Sequence, residues 1–74
     1  MIIDVRTPQE FEAEHSKGSI NIPLSEIPKK LNQIKSYKEV QVCCASGVRS
    51  SLAHYYLIEQ GINSTDLGSY KNLN

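Results

Sequence analysis

The sequence has no excess of either charge and no long apolar run. Its 74 residues contain eight Lys and Arg and eight Asp and Glu, so the formal net charge is zero. Nothing therefore favours nucleic acid or an anionic membrane as a partner. No apolar stretch approaches the length of a transmembrane helix. The apolar start of the chain is too short for a signal peptide, because the acidic Asp4 already ends it. We expect one small, marginally stable cytoplasmic domain over residues 1–74.

Cysteine is also scarce, since Cys43 and Cys44 are the only two and they are adjacent. Neighbouring residues rarely form an unstrained disulfide, because the bridge needs a specific separation and torsion. This argues against a disulfide framework of the secreted type and favours a reducing compartment. His15 and His54 are far from the cysteines in sequence, so the spacing of a zinc site is missing as well. The sequence predicts neither a metal nor a cofactor.

Short β-branched runs alternate with helical segments along the chain. Such alternation predicts an α/β fold with a mainly parallel sheet flanked by short helices. The run 2–5, interrupted only by Asp4, is typical of a buried parallel strand. Because so little precedes it, this strand is expected either at a sheet edge or beside an absent upstream element. The other predicted strands are 20–22, 39–43 and 62–67, and helices are predicted to begin near residues 8, 25 and 50.

Capping residues and glycines mark several boundaries. Thr7 can cap the first helix, and Glu10 can return a hydrogen bond to the cap residue. The third helix is predicted to reach about Gln60, with Gly61 in the left-handed position that follows a helix. Residues 68–74 are predicted to form a loop.

A predicted strand ends at two cysteines and leads through a short glycine-containing loop into a helix. This order places the Cys44 thiol near a helix N-terminus, where unpaired N–H groups and the helix dipole favour the thiolate. Arg49 adds a positive charge, and no acidic residue lies between Glu39 and Glu59. The N–H groups of the loop are expected to form an anion-binding nest. Free cysteines are more often buried hydrophobes, and Cys43 is interpreted in that way because strand alternation directs it to the opposite face.

Three ordered motifs over nearly the whole chain resemble those of single-domain rhodanese-like sulfurtransferases. Residues 44–50, Cys-Ala-Ser-Gly-Val-Arg-Ser, are similar to the active-site loop of that family. Residues 3–11 resemble its Asp-Val-Arg signature, which an acidic, aromatic-bearing helix follows. Residues 15–23 resemble its signature of histidine, glycine and Ile-Asn-Ile-Pro. Residues 67–70 resemble its last motif, in which a second glycine is more usual than Ser69.

The resemblance implies a sulfurtransferase. Cys44 would take the outer sulfur of a donor such as thiosulfate, and a thiol or cyanide would accept that sulfur from the persulfide. The N–H groups of the substrate-binding loop would stabilise the anionic persulfide. That loop consists of Ala45, Ser46, Gly47, Val48, Arg49 and Ser50. His15 is expected to brace a loop, and His54 is expected to be an exposed helix residue.

Two arginines flank the predicted site, and the sequence leaves their partners partly open. Arg49 is expected either to orient an anionic donor or to brace the loop by pairing with Asp4. Arg6 is expected to form a structural ion pair with Glu10 at the first helix.

Two other functions remain open from the sequence. Cell-cycle dual-specificity phosphatases share the rhodanese fold with a loop one residue longer, and Cys43 has that spacing to Arg49. A phosphatase or arsenate reductase that uses Cys43 or Cys44 is therefore one alternative. The other is a sulfur-carrier or binding module that acts with a protein relay partner. Family members usually have further elements at both ends, so a shortened domain is expected, and a homodimer would cover its sheet edge.

Overall fold

The computed structural model describes residues 1–73, which are built around a four-stranded sheet. Its strands are β1 (Ile2–Asp4), β2 (Ser19–Asn21), β3 (Gln41–Cys44) and β4 (Thr65–Ser69). They pair in the order β2-β1-β3-β4, and each pairing is parallel. Helices connect consecutive strands, because parallel neighbours need a crossover rather than a hairpin. The predicted α/β fold with a mainly parallel sheet is confirmed.

The first strand occupies a central position in this sheet. Ile3 lies opposite Ile20 of β2 on one side and opposite Val42 of β3 on the other. Both Ile3 and Val5 are buried, as the apolar run predicts. The alternative that placed β1 at a sheet edge is wrong, because β2 and β3 pair with it on opposite sides.

The helices are short and of two kinds. The α-helices are α1 (Pro8–Ala13), α2 (Leu31–Lys35) and α3 (Val48–Glu59), and 3₁₀ helices cover Leu24–Lys30 and Tyr70–Leu73. Thr7 caps α1 and forms the predicted capping box with Glu10. The second helix begins in 3₁₀ form around Pro28, which has no N–H to donate, and becomes α-helical only after it. Within residues 1–73, no helix has the length and apolar character needed to cross a membrane.

The end of α3 explains why β4 starts later than predicted. Gly61 has a φ of 80°. The Ile62 N–H donates to the Leu57 carbonyl at 2.9 Å, which is the long-range bond of a Schellman motif. Ile62 therefore belongs to the helix end, and pairing with β3 begins only at Thr65.

The loop predicted over 68–74 is wrong for the residues that the structure describes. The register between β3 and β4 shifts between Val42 and Cys43, and β4 continues through Gly68 to Ser69. The chain then forms the 3₁₀ helix Tyr70–Leu73. Asn74, the last residue of the predicted loop, lies outside the described residues.

The core is made of buried aliphatic side chains between the sheet and the helices. Its members include Ile3, Val5, Ile22, Ile27, Ile34, Val40, Val42, Ala53, Leu57 and Ile62. Burial of each large aliphatic side chain contributes about 1.5–3 kcal/mol relative to exposure. Cys44 packs in this cluster, so the carboxyl end of β3 is anchored in the core.

Candidate active site

The carboxyl edge of the parallel sheet carries the predicted loop. β3 ends at Cys44, the chain turns through 45–47, and α3 begins at Val48. Loops at this edge of an open parallel sheet are the usual place for ligand binding. The helix starts two residues before the predicted Ser50, because Gly47 in a left-handed conformation turns the chain directly into it. The Gly47 φ is 98°, which lies in a region that residues other than glycine rarely adopt.

The Cys44 sulfur lies beneath this loop and makes two polar contacts with it. The Gly47 N–H donates to Sγ at 3.0 Å, and Ser50 Oγ lies 3.4 Å from Sγ. Ser50 Oγ also lies 3.2 Å from the Gly47 carbonyl oxygen, so its proton can be donated to either acceptor. Cys44 and Ser50 are both 0% exposed. The Cys44 sulfur is therefore not exposed to solvent in this conformation.

These contacts favour the thiolate of Cys44. Burial raises the pKa of the thiol. Hydrogen bonds from the Ser50 side chain and from the N–H groups of Ser50, Gly47 and Ser46 lower it, and they outweigh burial. The pKa of the thiol therefore lies below its ordinary value. A lowered pKa increases the fraction of thiolate, which is the nucleophilic form of cysteine.

Cys43 lies in a different environment. It pairs in register with Asp4 of β1, and it is completely buried. Burial raises the pKa of the Cys43 thiol to about 12, and the Asp4 carboxylate adds to the increase. A thiol with this pKa is protonated at neutral pH, so it has little nucleophilic character.

Arg49 pairs with Glu10 and not with Asp4. Its Nη1 and Nη2 donate to the two carboxylate oxygens of Glu10 at 2.6 and 2.9 Å. Such a two-pronged pair fixes the orientation of both groups. The expected pairing with Asp4 is wrong, because Asp4 is already held by another arginine. The pair joins the first turn of α1 to the first turn of α3, next to the loop.

The partner of Asp4 is Arg6, which corrects the predicted pairing of Arg6 with Glu10. Arg6 Nη2 lies 2.7 Å from Asp4 Oδ2, and both side chains are almost completely buried. Arg6 also donates to the Glu14 carbonyl oxygen at 2.7 Å, and its guanidinium stacks 3.8 Å above the Tyr70 ring. The Tyr70 hydroxyl donates to the Glu14 carboxylate at 2.6 Å. This buried cluster ties β1, the end of α1 and the second 3₁₀ helix together.

The two histidines make contacts away from the sulfur. His15 stacks on Phe11 at 3.7 Å between ring centroids, and its Nδ1 lies 2.7 Å from the Phe11 carbonyl oxygen. It therefore braces the end of α1 rather than a loop. His54 is partly buried, and its Nδ1 lies 2.7 Å from Ser64 Oγ, so the expectation of an exposed side chain is wrong.

The predicted loop residues divide into two groups. Gly47 and Ser50 contact the sulfur, and the Ser46 N–H is near enough to lower the pKa of its thiol. The side chains of Ala45 and Val48 are exposed and make no such contact. Sequence reasoning missed Glu10 as the partner of Arg49, because it paired Glu10 with Arg6, which is only four residues away in the sequence.

A groove of about 580 Å³ opens at the same edge of the sheet, on the β2 side. Thr7, Asn21 and Lys30 are among its lining residues, and neither cysteine is. Thr7, which lines the groove, donates to Glu10, and Glu10 in turn pairs with Arg49 of the loop. The reactive sulfur therefore lies outside this groove.

Comparison with known proteins agrees with the geometry. The model of the rhodanese-like domain matches residues 1–72. The chain is 43% identical over 60 residues to the uncharacterised protein YqhL of Bacillus subtilis, with 81% of this chain and 48% of YqhL covered. It is 39% identical over 61 residues to thiosulfate sulfurtransferase PspE of Escherichia coli, with 80% of this chain and 59% of PspE covered.

A solved structure described as rhodanese with anions from E. coli superposes with a TM-score of 0.85 and 35% identity. That superposition covers 96% of this chain and 87% of the other. The chain spans less than two thirds of the length of the curated relatives it matches, from 32% to 59%.

Proposed function

The chain belongs to the rhodanese-like domain family, and on this premise we propose that it transfers sulfane sulfur through a persulfide on Cys44. The observation that carries the proposal is the contact between the Cys44 sulfur and the Gly47 N–H at 3.0 Å, in a loop that lowers the pKa of the thiol. The sulfurtransferase activity named for PspE supports the same reaction class.

The first half-reaction loads the sulfur. The Cys44 thiolate attacks the outer sulfur of a donor such as thiosulfate, and a new S–S bond forms. The S–S bond within thiosulfate breaks, and sulfite leaves with its electron pair. The product is a Cys44 persulfide whose outer sulfur carries the negative charge. No proton is transferred, so this step requires no general base.

The second half-reaction transfers the sulfur from the persulfide to an acceptor. Cyanide or a thiolate attacks the outer sulfur of the persulfide, and the bond between the two sulfurs breaks. The electron pair returns to Cys44 Sγ, which restores the thiolate. The acceptor leaves as thiocyanate or as a new persulfide. A small thiol, cyanide or a protein thiol can each serve as acceptor, since each supplies a soft nucleophile, either a thiolate sulfur or the carbon of cyanide.

The loop contributes by holding negative charge throughout the cycle. The Gly47 N–H already donates to Sγ, and the Ser50 hydroxyl, which can turn its proton from the Gly47 carbonyl oxygen to a thiolate, lies 3.4 Å from Sγ. Donors fixed in place before the reaction stabilise a developing anion without reorganising. The N-terminus of α3 adds the positive end of a helix dipole. The loop therefore favours the thiolate at the start and the anionic persulfide afterwards.

The phosphatase alternative is less well supported. Only Cys43 as the nucleophile gives the longer spacing to Arg49 that is typical of the phosphatases, whereas Cys44 has the sulfurtransferase spacing. The Cys43 thiol is buried on the opposite face, and its pKa is raised to about 12. Arg49, which would have to bind the oxyanion, is paired with Glu10.

Mass spectrometry of the intact protein after exposure to thiosulfate tests the proposal. The wild type is expected to gain the mass of one sulfur atom, which cyanide then removes. The Cys44→Ser variant is expected to gain nothing, whereas Cys43→Ser, the matched control, gains as the wild type does. Absence of the gain in the wild type, or a gain that persists in Cys44→Ser, would contradict the proposal.

A further inference from the structure

Arg49 is the charged residue of the substrate-binding loop, and its guanidinium is paired with the Glu10 carboxylate. Between Glu39 and Glu59 it is the one residue with a formal charge at pH 7. Two of its guanidinium nitrogens donate to the two oxygens of Glu10. An incoming anion would therefore meet an ion pair rather than a free cation.

Glu10 is held in this arrangement from its other side. Its Oε1 also accepts hydrogen bonds from the Thr7 N–H and the Thr7 hydroxyl, both at 3.1 Å. The hydrogen bonds from Arg49 lower the pKa of Glu10 most, those from Thr7 add to the effect, and the value falls to about 2. The carboxylate is consequently ionised at any pH at which the thiol reacts.

The pair lies within electrostatic range of the reactive sulfur. The hydrogen bond to Glu10 contributes most to the raised pKa of Arg49, and the charge of Cys44 contributes as well. The other arginine at this end of the sheet, Arg6, is neutralised by Asp4 in the same manner. Both arginines are therefore paired with carboxylates.

We infer that Glu10 is a specificity-determining residue, which neutralises Arg49 and thereby weakens the attraction of the Cys44 site for doubly charged donors relative to singly charged or neutral ones. The effect of Glu10 on the choice of sulfur donor rests on the proposed sulfur transfer. It does not require that Arg49 contact the donor, because Coulomb interaction acts over several ångströms. Removal of the Glu10 charge leaves Arg49 uncompensated beside the sulfur.

The substitution Glu10→Gln isolates this charge. Glutamine at the same helix position still returns a hydrogen bond to the cap residue, so α1 keeps its start. Glu12→Gln is the matched control, because it removes one negative charge from an exposed position of the same helix.

The readout is the alkylation of Cys44, followed by peptide mass spectrometry. Iodoacetate and iodoacetamide have the same leaving group and differ by one negative charge. In Glu10→Gln we expect the ratio of the iodoacetate rate constant to the iodoacetamide rate constant at Cys44 to rise about fivefold at low ionic strength, which is the order of magnitude for one uncompensated unit charge that interacts with the site. High salt is expected to reduce this gain, since it screens exposed charges. Adding Arg49→Gln to Glu10→Gln is expected to return the ratio to the wild-type value.

In Glu10→Gln the rate of persulfide formation from thiosulfate is expected to increase by a larger factor than the rate of alkylation by iodoacetate, because thiosulfate is a dianion. An unchanged alkylation ratio in Glu10→Gln, or an equal rise in Glu12→Gln, would overturn the inference. A proportional loss of both alkylation rates would assign Glu10 a purely structural role and would also overturn it. If the ratio rises but thiosulfate loads no sulfur in the wild type, the proposed function fails while the charge effect stands. If sulfur is loaded but the alkylation ratio does not change in Glu10→Gln, the inference about Glu10 fails while the proposed function stands.

Discussion

Cys43 and Cys44 are neighbours in the chain, yet the pKa values of their thiols are displaced in opposite directions. Burial raises the pKa of Cys43 to about 12, and the Asp4 carboxylate adds to the increase. Burial acts on Cys44 in the same sense, but there the hydrogen bonds from the loop outweigh it, and the pKa falls. The difference arises because only Cys44 faces the N–H groups at the start of α3.

The Ser50 hydroxyl is expected to account for part of this effect. In Ser50→Ala the pKa of Cys44 should rise, because the thiolate loses a hydrogen bond while its burial remains. One hydrogen bond of ordinary strength corresponds to about a fivefold decrease in the rate of alkylation by iodoacetamide at neutral pH. The measurement is the pH profile of that rate, read at Cys44 by peptide mass spectrometry. Ser51→Ala, on the next residue of α3, is the control, and an equal shift in both variants would refute the prediction.

The left-handed conformation of Gly47 predicts a defect that is both structural and chemical. A Cβ at this position would meet only Gly68 Cα at 3.8 Å, so Gly47→Ala meets no clash but must adopt a φ of 98°. The conformational penalty is about 1–2 kcal/mol in the free energy of unfolding. We expect slower alkylation of Cys44 as well, because the Gly47 N–H that contacts the sulfur would move.

Gly61→Ala provides the comparison for that variant. Gly61 has a φ of 80° with nothing within 4 Å of its would-be Cβ, and it lies at the other end of α3. Urea unfolding should show a similar loss of stability in both variants, with normal Cys44 reactivity only in Gly61→Ala. Normal reactivity in Gly47→Ala would mean that the loop N–H groups do not depend on this conformation.

Stability at alkaline pH should depend on Cys43. Its pKa is about 12 in the folded protein against 9.0 as the ordinary value, so the unfolded state loses this proton first. The contribution of Cys43 to stability is complete below pH 9 and declines as pH rises towards 12, by up to about 1.4 kcal/mol for each pH unit. The pH dependence of the Cys44 contribution to stability has the opposite sign, because the pKa of its thiol is lowered in the folded state. This contribution is complete above pH 9 and declines as the pH falls.

Urea unfolding under reducing conditions at about pH 8 and about pH 10 would check this linkage. Wild-type protein is expected to lose more stability between these two values than Cys43→Ala does. Identical pH dependence in the two proteins would show that the Cys43 thiol does not titrate differently in the folded state.

The buried pair of Asp4 and Arg6 predicts a large effect of a small change. Asp4→Asn keeps the shape of the side chain but leaves the guanidinium buried without its counter-charge, which should lower the free energy of unfolding by about 3–5 kcal/mol. The exposed pair of Lys29 and Glu26, 3.8 Å apart, serves as the control. Glu26→Gln should change stability by less than about 1 kcal/mol, because solvent screens exposed pairs. Similar losses in the two variants, measured by urea unfolding, would argue against the buried pair as a stabilising unit.

Much of the fold could be predicted from local sequence. The alternation of β-branched runs with capped helices identifies a parallel α/β sheet, and the capping box at Thr7 and Glu10 is found as predicted. The position of β1 within the sheet could not be read in this way, because strand order depends on which partners pair across the sheet. The late start of β4 at Thr65 has a similar origin, since the bond from Ile62 to Leu57 competes with strand pairing.

The site was predictable only as far as its backbone. The order of strand, cysteine, glycine loop and helix places N–H groups around Cys44 whatever the side chains do. The ion pairs were not predictable, because Glu10 has two partners at once, Thr7 within its own helix and Arg49 on another element. Local patterns account for the first contact and contain no information about the second.

The central place of β1 has a consequence for how the chain folds during synthesis. Ile3 pairs with Ile20 and with Val42, and none of the sheet's pairings is a local hairpin. Parallel pairing between distant segments is intrinsically slow, because the entropy cost of closing the intervening loop arises before the stabilising contacts form. A nascent chain therefore carries β1 with one of its two partners missing until residue 44 has left the ribosome. During that interval at least one edge of β1 remains unpaired.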